Sequence, residues 1–143
     1  MEGRRLAGWP YWMIAVLSLL WNAMGAIDFA MTASRNPVYL AQYPADMIDW
    51  LDAAPTWTLV PWALGTLGAL AGSLALLLRS KAAVPAFAVS LAGLAVLQAW
   101  QIATGLPPSM KGATNVLFTI VLWAVALALV WHALRKRRQG VLG

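Results

Sequence analysis

The sequence contains no cysteine and only one histidine, His132. The absence of cysteine excludes disulfides, thiolate metal sites, iron–sulfur clusters and cysteine nucleophiles. A single imidazole is too little for an ordinary histidine metal site within one chain. The sequence also lacks a glycine-rich phosphate loop, a nucleophile elbow and paired carboxylates inside its apolar stretches. We therefore expect a protein that is not an enzyme and that holds no metal and no cofactor.

Charged residues are also scarce. They make up 10% of the 143 residues, whereas a soluble domain carries about 25%. Hydrophobic residues reach 62%. This composition excludes a nucleic-acid-binding module, a disordered tail protein and a large enzyme with separate cofactor and substrate domains. It predicts an integral membrane protein whose first partner is the lipid bilayer.

Four apolar stretches cover residues 11–32, 57–78, 82–104 and 113–134. Each has about the 20 residues that a helix needs to cross a hydrocarbon core roughly 30 Å thick. Asp28 is the only formally charged residue within them. Short connections favour helix neighbours of opposite direction. The sequence thus predicts an all-α, polytopic membrane protein, in which residues 1–143 form a single membrane domain built as an up-down bundle of four transmembrane helices.

A secretory signal peptide is the alternative interpretation of the first stretch. Arg4 and Arg5 precede it, and residues 23–26 loosely resemble a cleavage site. Because Trp21 and Asn22 interrupt the apolar run, we favour an uncleaved helix.

The distribution of basic residues predicts the orientation, because Lys and Arg are retained preferentially on the cytoplasmic side. The outer side would hold only Arg35 and Lys111. The inner side would hold Arg4, Arg5, Arg79, Lys81, Arg135, Lys136, Arg137 and Arg138. Both termini should accordingly be cytoplasmic, and the subunits of any homo-oligomer should be parallel.

The loop 33–56 would then face outward. Pro44 and Pro55 bracket a short stretch, 45–54, in which aspartates lie on one helical face and apolar side chains lie opposite. We predict a short extracytoplasmic amphipathic helix over 45–54 with a solvated acidic face.

Polar side chains follow one side of the first predicted helix, within about 120° of arc at 100° per residue. The third predicted helix carries a second polar face. Polar groups left in hydrocarbon cost several kcal/mol each, so both faces should meet protein or water. The candidate solute-binding residues on these faces are Ser18, Asn22, Asp28, Thr32, Gln98 and Gln101.

The same residues also have a structural interpretation. Side-chain amides and hydroxyls join neighbouring helices in membrane proteins, and for Asn22 alone we favour that role. Asp28 is the only intramembrane carboxylate. It either forms a salt bridge or cap with Arg35, two turns later, or takes part in substrate or proton binding.

Small residues mark one side of the second predicted helix, where Gly65, Gly68 and Gly72 recur. A GxxxG pattern permits close approach of helix backbones. It predicts helix packing, either within the chain or between the copies of an oligomer.

Several of these elements occur together in a known group of proteins. They are Leu20-Trp21-Asn22, Gly25, Asp28-Phe29, Met31-Thr32, Arg35-Asn36, Tyr39-Leu40, Trp57, Trp62-Ala63, Gly65, Arg79 and Pro85. Through them, residues 20–101 resemble a family of small, uncharacterised four-helix inner-membrane proteins of proteobacteria, some of which carry an automatic "sugar transporter" label. The resemblance implies a bacterial cytoplasmic (inner) membrane and favours transport, but it implies no substrate.

Two functions follow from these patterns. The first is an oligomeric transporter of a small polar solute, in which Asn22, Asp28, Gln98 and Gln101 contact the solute. The alternative is a non-catalytic accessory or assembly subunit of a larger membrane complex, in which the glycines and the outer loop contact partner proteins. A membrane enzyme ranks third, because the sequence contains no catalytic constellation.

Overall fold

The computed structural model describes residues 5–143, and these residues form helices and turns without a strand. Arg4 of the predicted cytoplasmic group lies outside the described residues. Two 3-10 turns, Thr56–Thr58 and Pro108–Met110, precede the second and the fourth of the long apolar helices, respectively. The α-helices are α1 (Trp9–Ala33), α2 (Pro37–Leu40), α3 (Ala45–Ala53), α4 (Leu59–Leu77), α5 (Ala83–Thr104) and α6 (Ala113–Arg138).

Within residues 5–143, four helical segments are long and apolar enough to cross a membrane, namely α1, α4 with its preceding turn, α5 and α6. This confirms the prediction of an all-helical chain with four candidate membrane spans.

Some helices end at residues other than the predicted ones. The last helix continues past residue 134 to Arg138, and the chain then turns at Gly140, whose φ is 72°. The short helix α3 ends at Ala53 because Pro55 favours an extended Ala54 before it.

Helix α4 is the centre of the packing, since it contacts α1 on one side and α5 on the other, while α6 packs on α5. The glycines of α4 face α5 of the same chain. A methyl group at Gly68 would lie 3.2 Å from the backbone nitrogen of Ser90, and one at Gly72 would lie 2.6 Å from the Phe87 ring. The Ser90 hydroxyl also donates to the carbonyl of Gly65 at 2.6 Å. The small-residue surface is therefore used within the chain.

One end of the bundle, which we call the closed end, brings together residues 5–8, 78–82 and 139–143. Arg79 adopts a left-handed φ of 53° after α4, and its Nε donates to the Val141 carbonyl at 3.1 Å. Its Nη2 donates to the carbonyl of Arg5, whose own amide donates to the Gly140 carbonyl at 3.2 Å. The buried core lies beneath these contacts and includes Tyr11, Leu76, Phe87, Leu129, Ala133 and Leu142.

The opposite end, which we call the loop end, holds α2, α3 and the turn 105–112. Trp50 of α3 donates its indole N–H to the Gly105 carbonyl at 3.2 Å and packs against the Trp100 ring. Asp46 accepts the backbone N–H of Ser109 at 2.9 Å, and this bond lowers the pKa of the Asp46 carboxyl. The short helix α3 is thus fastened to the loop between α5 and α6.

Candidate functional site

A cavity of about 760 Å³ lies between α1, α4, α5 and α6. At the loop end its lining includes the exposed side chains of Arg35 and Asp52, so the cavity opens there. In the other direction it reaches Phe87 and Leu129, which belong to the buried core of the closed end. Its size falls within the roughly 300–1,000 Å³ typical of small-molecule pockets. The cavity is therefore open at one end and blocked at the other.

Asp28 lines this cavity near the loop end and accepts two hydrogen bonds on the same carboxylate oxygen, Oδ1. The hydroxyl of Tyr39 donates to it at 2.6 Å, and that of Tyr43 donates at 2.7 Å. The two tyrosine rings meet edge to face, with their centroids 5.7 Å apart. Helix α1 and the loop that follows it are thereby joined through one acidic side chain.

The local sequence explains how the tyrosines return to α1. The helix ends at Ala33, and the backbone reverses at Arg35, which has a left-handed φ of 57°. Asn36 then caps α2 by accepting the backbone N–H of Tyr39 at 3.0 Å, and Pro37 occupies the first helical position. This turn places Tyr39 and the following Tyr43 over the end of α1.

Both tyrosine hydroxyls are held in the protonated, donating form. The bond to Asp28 raises the pKa of Tyr39, because ionisation would place two negative oxygens against each other. Burial is the main cause of the raised pKa of Tyr43, and the bonds to Tyr39 and Asp28 act in the same direction. The pair can therefore donate to Asp28 throughout the physiological pH range.

The salt-bridge alternative for Asp28 is wrong. Arg35 instead pairs with Asp52, with 3.1 Å between Nη1 and Oδ1, and donates to the Leu51 carbonyl at 3.0 Å. The physical reason is the end of α1 at Ala33. Because the chain turns before Arg35, its side chain points toward α3 and does not continue along the face of α1 that carries Asp28.

Asn22 lies deeper in the cavity and links α1 to α4. Its Nδ2 donates to Ser73 Oγ at 2.7 Å and to the Ala69 carbonyl at 3.3 Å. Among residues 5–143 its amide oxygen accepts no hydrogen bond. Asn22 therefore joins two helices and also lines the cavity. Its role in binding a solute stays a prediction.

Gln98 and Gln101 line the cavity from α5. Gln98 Nε2 donates to Gln101 Oε1 at 3.4 Å, and the indole N–H of Trp123 on α6 donates to Gln98 Oε1 at 3.3 Å. Both bonds are long, so they restrain the amides without saturating them. Within residues 5–143, the amide nitrogen of Gln101 donates no hydrogen bond.

The last two sequence candidates have different positions. Thr32 is buried and lines the cavity near its opening. Ser18 is buried outside the cavity lining, and its hydroxyl donates to the Ala15 carbonyl one turn back at 2.9 Å. The structure thus brings Asn22, Asp28, Thr32, Gln98 and Gln101 to one cavity and leaves Ser18 in the helix interface.

No sequence pattern predicts a role for Tyr39, Tyr43 or the cavity-lining face of Trp62. Trp62 packs edge to face on Phe29, with ring centroids 5.1 Å apart. The Asn36-Pro37 start of α2 and the spacing of four between the tyrosines were the available signals for this region. Neither signal identifies Asp28 as the shared acceptor, because that contact depends on the reversal at Arg35.

No protein-family model, curated protein or solved structure matches this chain. The resemblance to proteobacterial inner-membrane proteins stays a prediction. The cavity and the side chains that line it are therefore the features that point to a function.

Proposed function

We propose that this chain is a multi-pass membrane protein that binds a small polar solute in the cavity and carries it across the bilayer. The observation that carries the proposal is the convergence of polar side chains from α1, α5 and the outer loop on one cavity. Amide and carboxylate groups supply both donors and acceptors to a solute. In a membrane interior such groups are costly unless they have partners, which favours a functional interpretation.

In this proposal the helices form an up-down bundle in a bacterial inner membrane, with the loop end outside. The excess of Lys and Arg at the closed end supports that orientation. Solute would enter at the loop end and bind near Asp28, Gln101 and Asn22. Passage across the bilayer would then require the closed end to open, because Phe87 and Leu129 block the cavity there.

A subunit role in a larger membrane complex is the second candidate, and helix α6 is the observation that favours it. Its half nearest the loop end packs little against the bundle. Leu117 and Ile120 there are 62% and 60% exposed. A partner helix could cover this half. The proposed homo-oligomer would also have to use such a surface, since the α4 glycines already contact α5.

Native mass spectrometry of the protein, transferred from its own membrane into lipid nanodiscs, tests these proposals. The transport proposal predicts a reproducible small-molecule adduct that Gln101→Leu removes. Gln42→Leu is the matched control, because Gln42 is exposed and lies outside the cavity. The identified adduct is then offered to proteoliposomes, where uptake should depend on Gln101 and Asn22.

Each outcome bears on one of the two candidates. An adduct that is equally abundant in the Gln101→Leu and Gln42→Leu proteins would contradict the proposed site. A foreign protein at fixed stoichiometry, without a small-molecule adduct, would favour the subunit role.

A further inference from the structure

The cavity carries one charge without an opposite charge beside it. Arg35 and Asp52 neutralise each other at the opening. Asp28 has no basic partner among residues 5–143, and its bonds are to the neutral hydroxyls of Tyr39 and Tyr43. Both hydroxyls use Oδ1, so Oδ2 remains for another donor. Carboxylates in a partly buried position are ordinarily paired, and the complement missing here is a cation.

The side chains around this carboxylate suit an organic cation better than a metal ion. Tyr39, Tyr43, Trp50 and Trp62 all line the cavity, and they belong to the loop end or to the first turn of α4, which follows it in the chain. Aromatic faces attract ammonium and guanidinium groups through the ring quadrupole. A hard metal ion would need several oxygen ligands, and the described residues contain no group of three acidic or histidine side chains that could hold one.

Toward the closed end from the glutamines, the cavity lining is mostly apolar and includes Leu94, Phe87, Val125, Ala126 and Leu129. The two polar side chains there, Asn22 and Ser90, donate to Ser73 and to the Gly65 carbonyl, respectively. A solute that is polar over its whole surface would leave this part unfilled or hydrated. A ligand with a polar head and an apolar body matches both parts of the cavity, because apolar surface gains free energy when it is buried.

One side of the cavity lies along the seam between α1 and α6, at the outer surface of the bundle. Helices α1 and α6 both line it, yet α6 packs on α5 and α1 packs on α4. The rings of Trp21 and Phe118 meet across the α1–α6 seam, with centroids 6.1 Å apart. Toward the loop end from this pair, Gly25 lines the cavity, and a Cβ added there would meet no atom within 4 Å. An apolar chain could enter the cavity from the bilayer through this seam.

We propose that the cavity binds an amphipathic cation, with its ammonium or guanidinium head at Asp28 and its apolar body between Phe87, Leu122 and Leu129. The inference rests on the proposed function only for the identity of the site, because it concerns binding and does not require transport. It narrows the solute from any small polar molecule to an amphipathic cation. It also makes the α1–α6 seam the entry for the apolar body.

Photo-crosslinking in nanodiscs of zwitterionic lipid tests this inference. Three probes share a decyl chain with a terminal diazirine and differ in the head, which is trimethylammonium, glucoside or sulfate. A fourth probe carries the trimethylammonium head and the diazirine without the chain. Peptide mass spectrometry then separates labelling of the cavity wall at Leu122 and Leu129 from labelling of the exposed Leu117 and Leu127.

We expect the decyltrimethylammonium probe to label the cavity wall about tenfold more than the sulfate probe. The trimethylammonium head has no N–H to donate, so the preference comes from its Coulomb attraction to Asp28 and from the aromatic faces, which together contribute about that factor in affinity. The Asp28→Asn substitution should remove the preference. Asp49→Asn should leave it intact, because Asp49 is exposed and lies outside the cavity. The preference among heads in the unsubstituted protein tests the inference even if Asp28→Asn fails to fold.

The contrary outcomes separate this inference from the proposed function. Cavity labelling by the short probe, with none by the decyl probes, would overturn the amphipathic ligand and leave a polar-solute site standing. Equal labelling of the cavity by all three heads would overturn the role of Asp28 charge. Labels confined to Leu117 and Leu127 with every probe would count against both proposals.

Discussion

Asn22 shows how one side chain can hold two helices together and still face a cavity. Its amide nitrogen binds Ser73 and the Ala69 carbonyl, which leaves the oxygen for a ligand. The two carboxylate oxygens of Asp28 differ in a similar way, because Oδ1 accepts both tyrosine hydroxyls and Oδ2 accepts neither. At the scale of single residues, the polar face of α1 therefore combines structural bonds with remaining binding capacity.

The Asn22–Ser73 bond should be measurable as a coupling between two substitutions. We expect a double-mutant cycle of Asn22→Ala and Ser73→Ala to give about 0.6 kcal/mol in the free energy of unfolding, and at most roughly 1.7 kcal/mol, as for other interhelical bonds in membranes. Unfolding in mixed micelles supplies the measurement. Ser18→Ala is the control for Ser73→Ala, since Ser18 bonds within α1. If the coupling energy is no larger than that between Asn22→Ala and Ser18→Ala, the Asn22–Ser73 hydrogen bond is not supported.

At the scale of the elements, the contact between α4 and α5 depends on glycines from both helices. The small-residue pattern identifies Gly65, Gly68 and Gly72 on α4 but not Gly93 on α5. A Cβ at Gly93 would lie 2.5 Å from the Pro61 carbonyl oxygen and 2.8 Å from the Gly65 nitrogen. These are backbone atoms, which cannot rotate away as a side chain can. Gly93 therefore sets how closely the two helices approach.

Gly93→Ala should lower the free energy of unfolding by about 1–3 kcal/mol, the usual cost of overpacking. Gly25→Ala is the matched control, because a methyl group at Gly25 meets no atom within 4 Å. It should be neutral or stabilise α1 by about 0.5–1 kcal/mol. Thermal unfolding of the two variants in one detergent makes the comparison. Equal melting temperatures would show that the α4–α5 approach is looser than described.

At the scale of the whole molecule, the cavity is asymmetric because its two ends are built differently. The closed end combines a buried apolar core with the 139–143 segment, which Arg79 holds through the Val141 carbonyl. The loop end is fastened by bonds at its rim, such as those of Trp50 and Asp46. A transported solute would therefore meet its main barrier at the closed end.

Removing the Arg79 side chain should make the cavity accessible from the closed end. The chain has no cysteine, so Ala126→Cys introduces a single reactive thiol in the cavity wall. In proteoliposomes a membrane-impermeant maleimide should label it from the loop-end side only. Adding Arg79→Gln should permit labelling from the closed-end side, because the loss of two hydrogen bonds to the backbone frees Val141 and Leu142, which pack in the same buried core as Leu129.

Arg137→Gln is the matched control for this experiment, since Arg137 is exposed and its only hydrogen bond to residues 139–143 is that of its backbone carbonyl with the Gly140 N–H, which the substitution keeps. It should leave the direction of labelling unchanged. If Arg79→Gln behaves like Arg137→Gln, the 139–143 segment does not close the cavity.

The sequence by itself determined the four apolar helices and placed Asn22 and Asp28 on one face, because helix period and apolar length are local properties of the chain. Only the tertiary structure decided that Arg35 binds Asp52 and that two tyrosines bind Asp28. Those contacts depend on the backbone reversal at Arg35, which the pattern of residue types does not reveal. The cavity likewise depends on which helix faces meet, and periodicity assigns side chains to faces without pairing the faces.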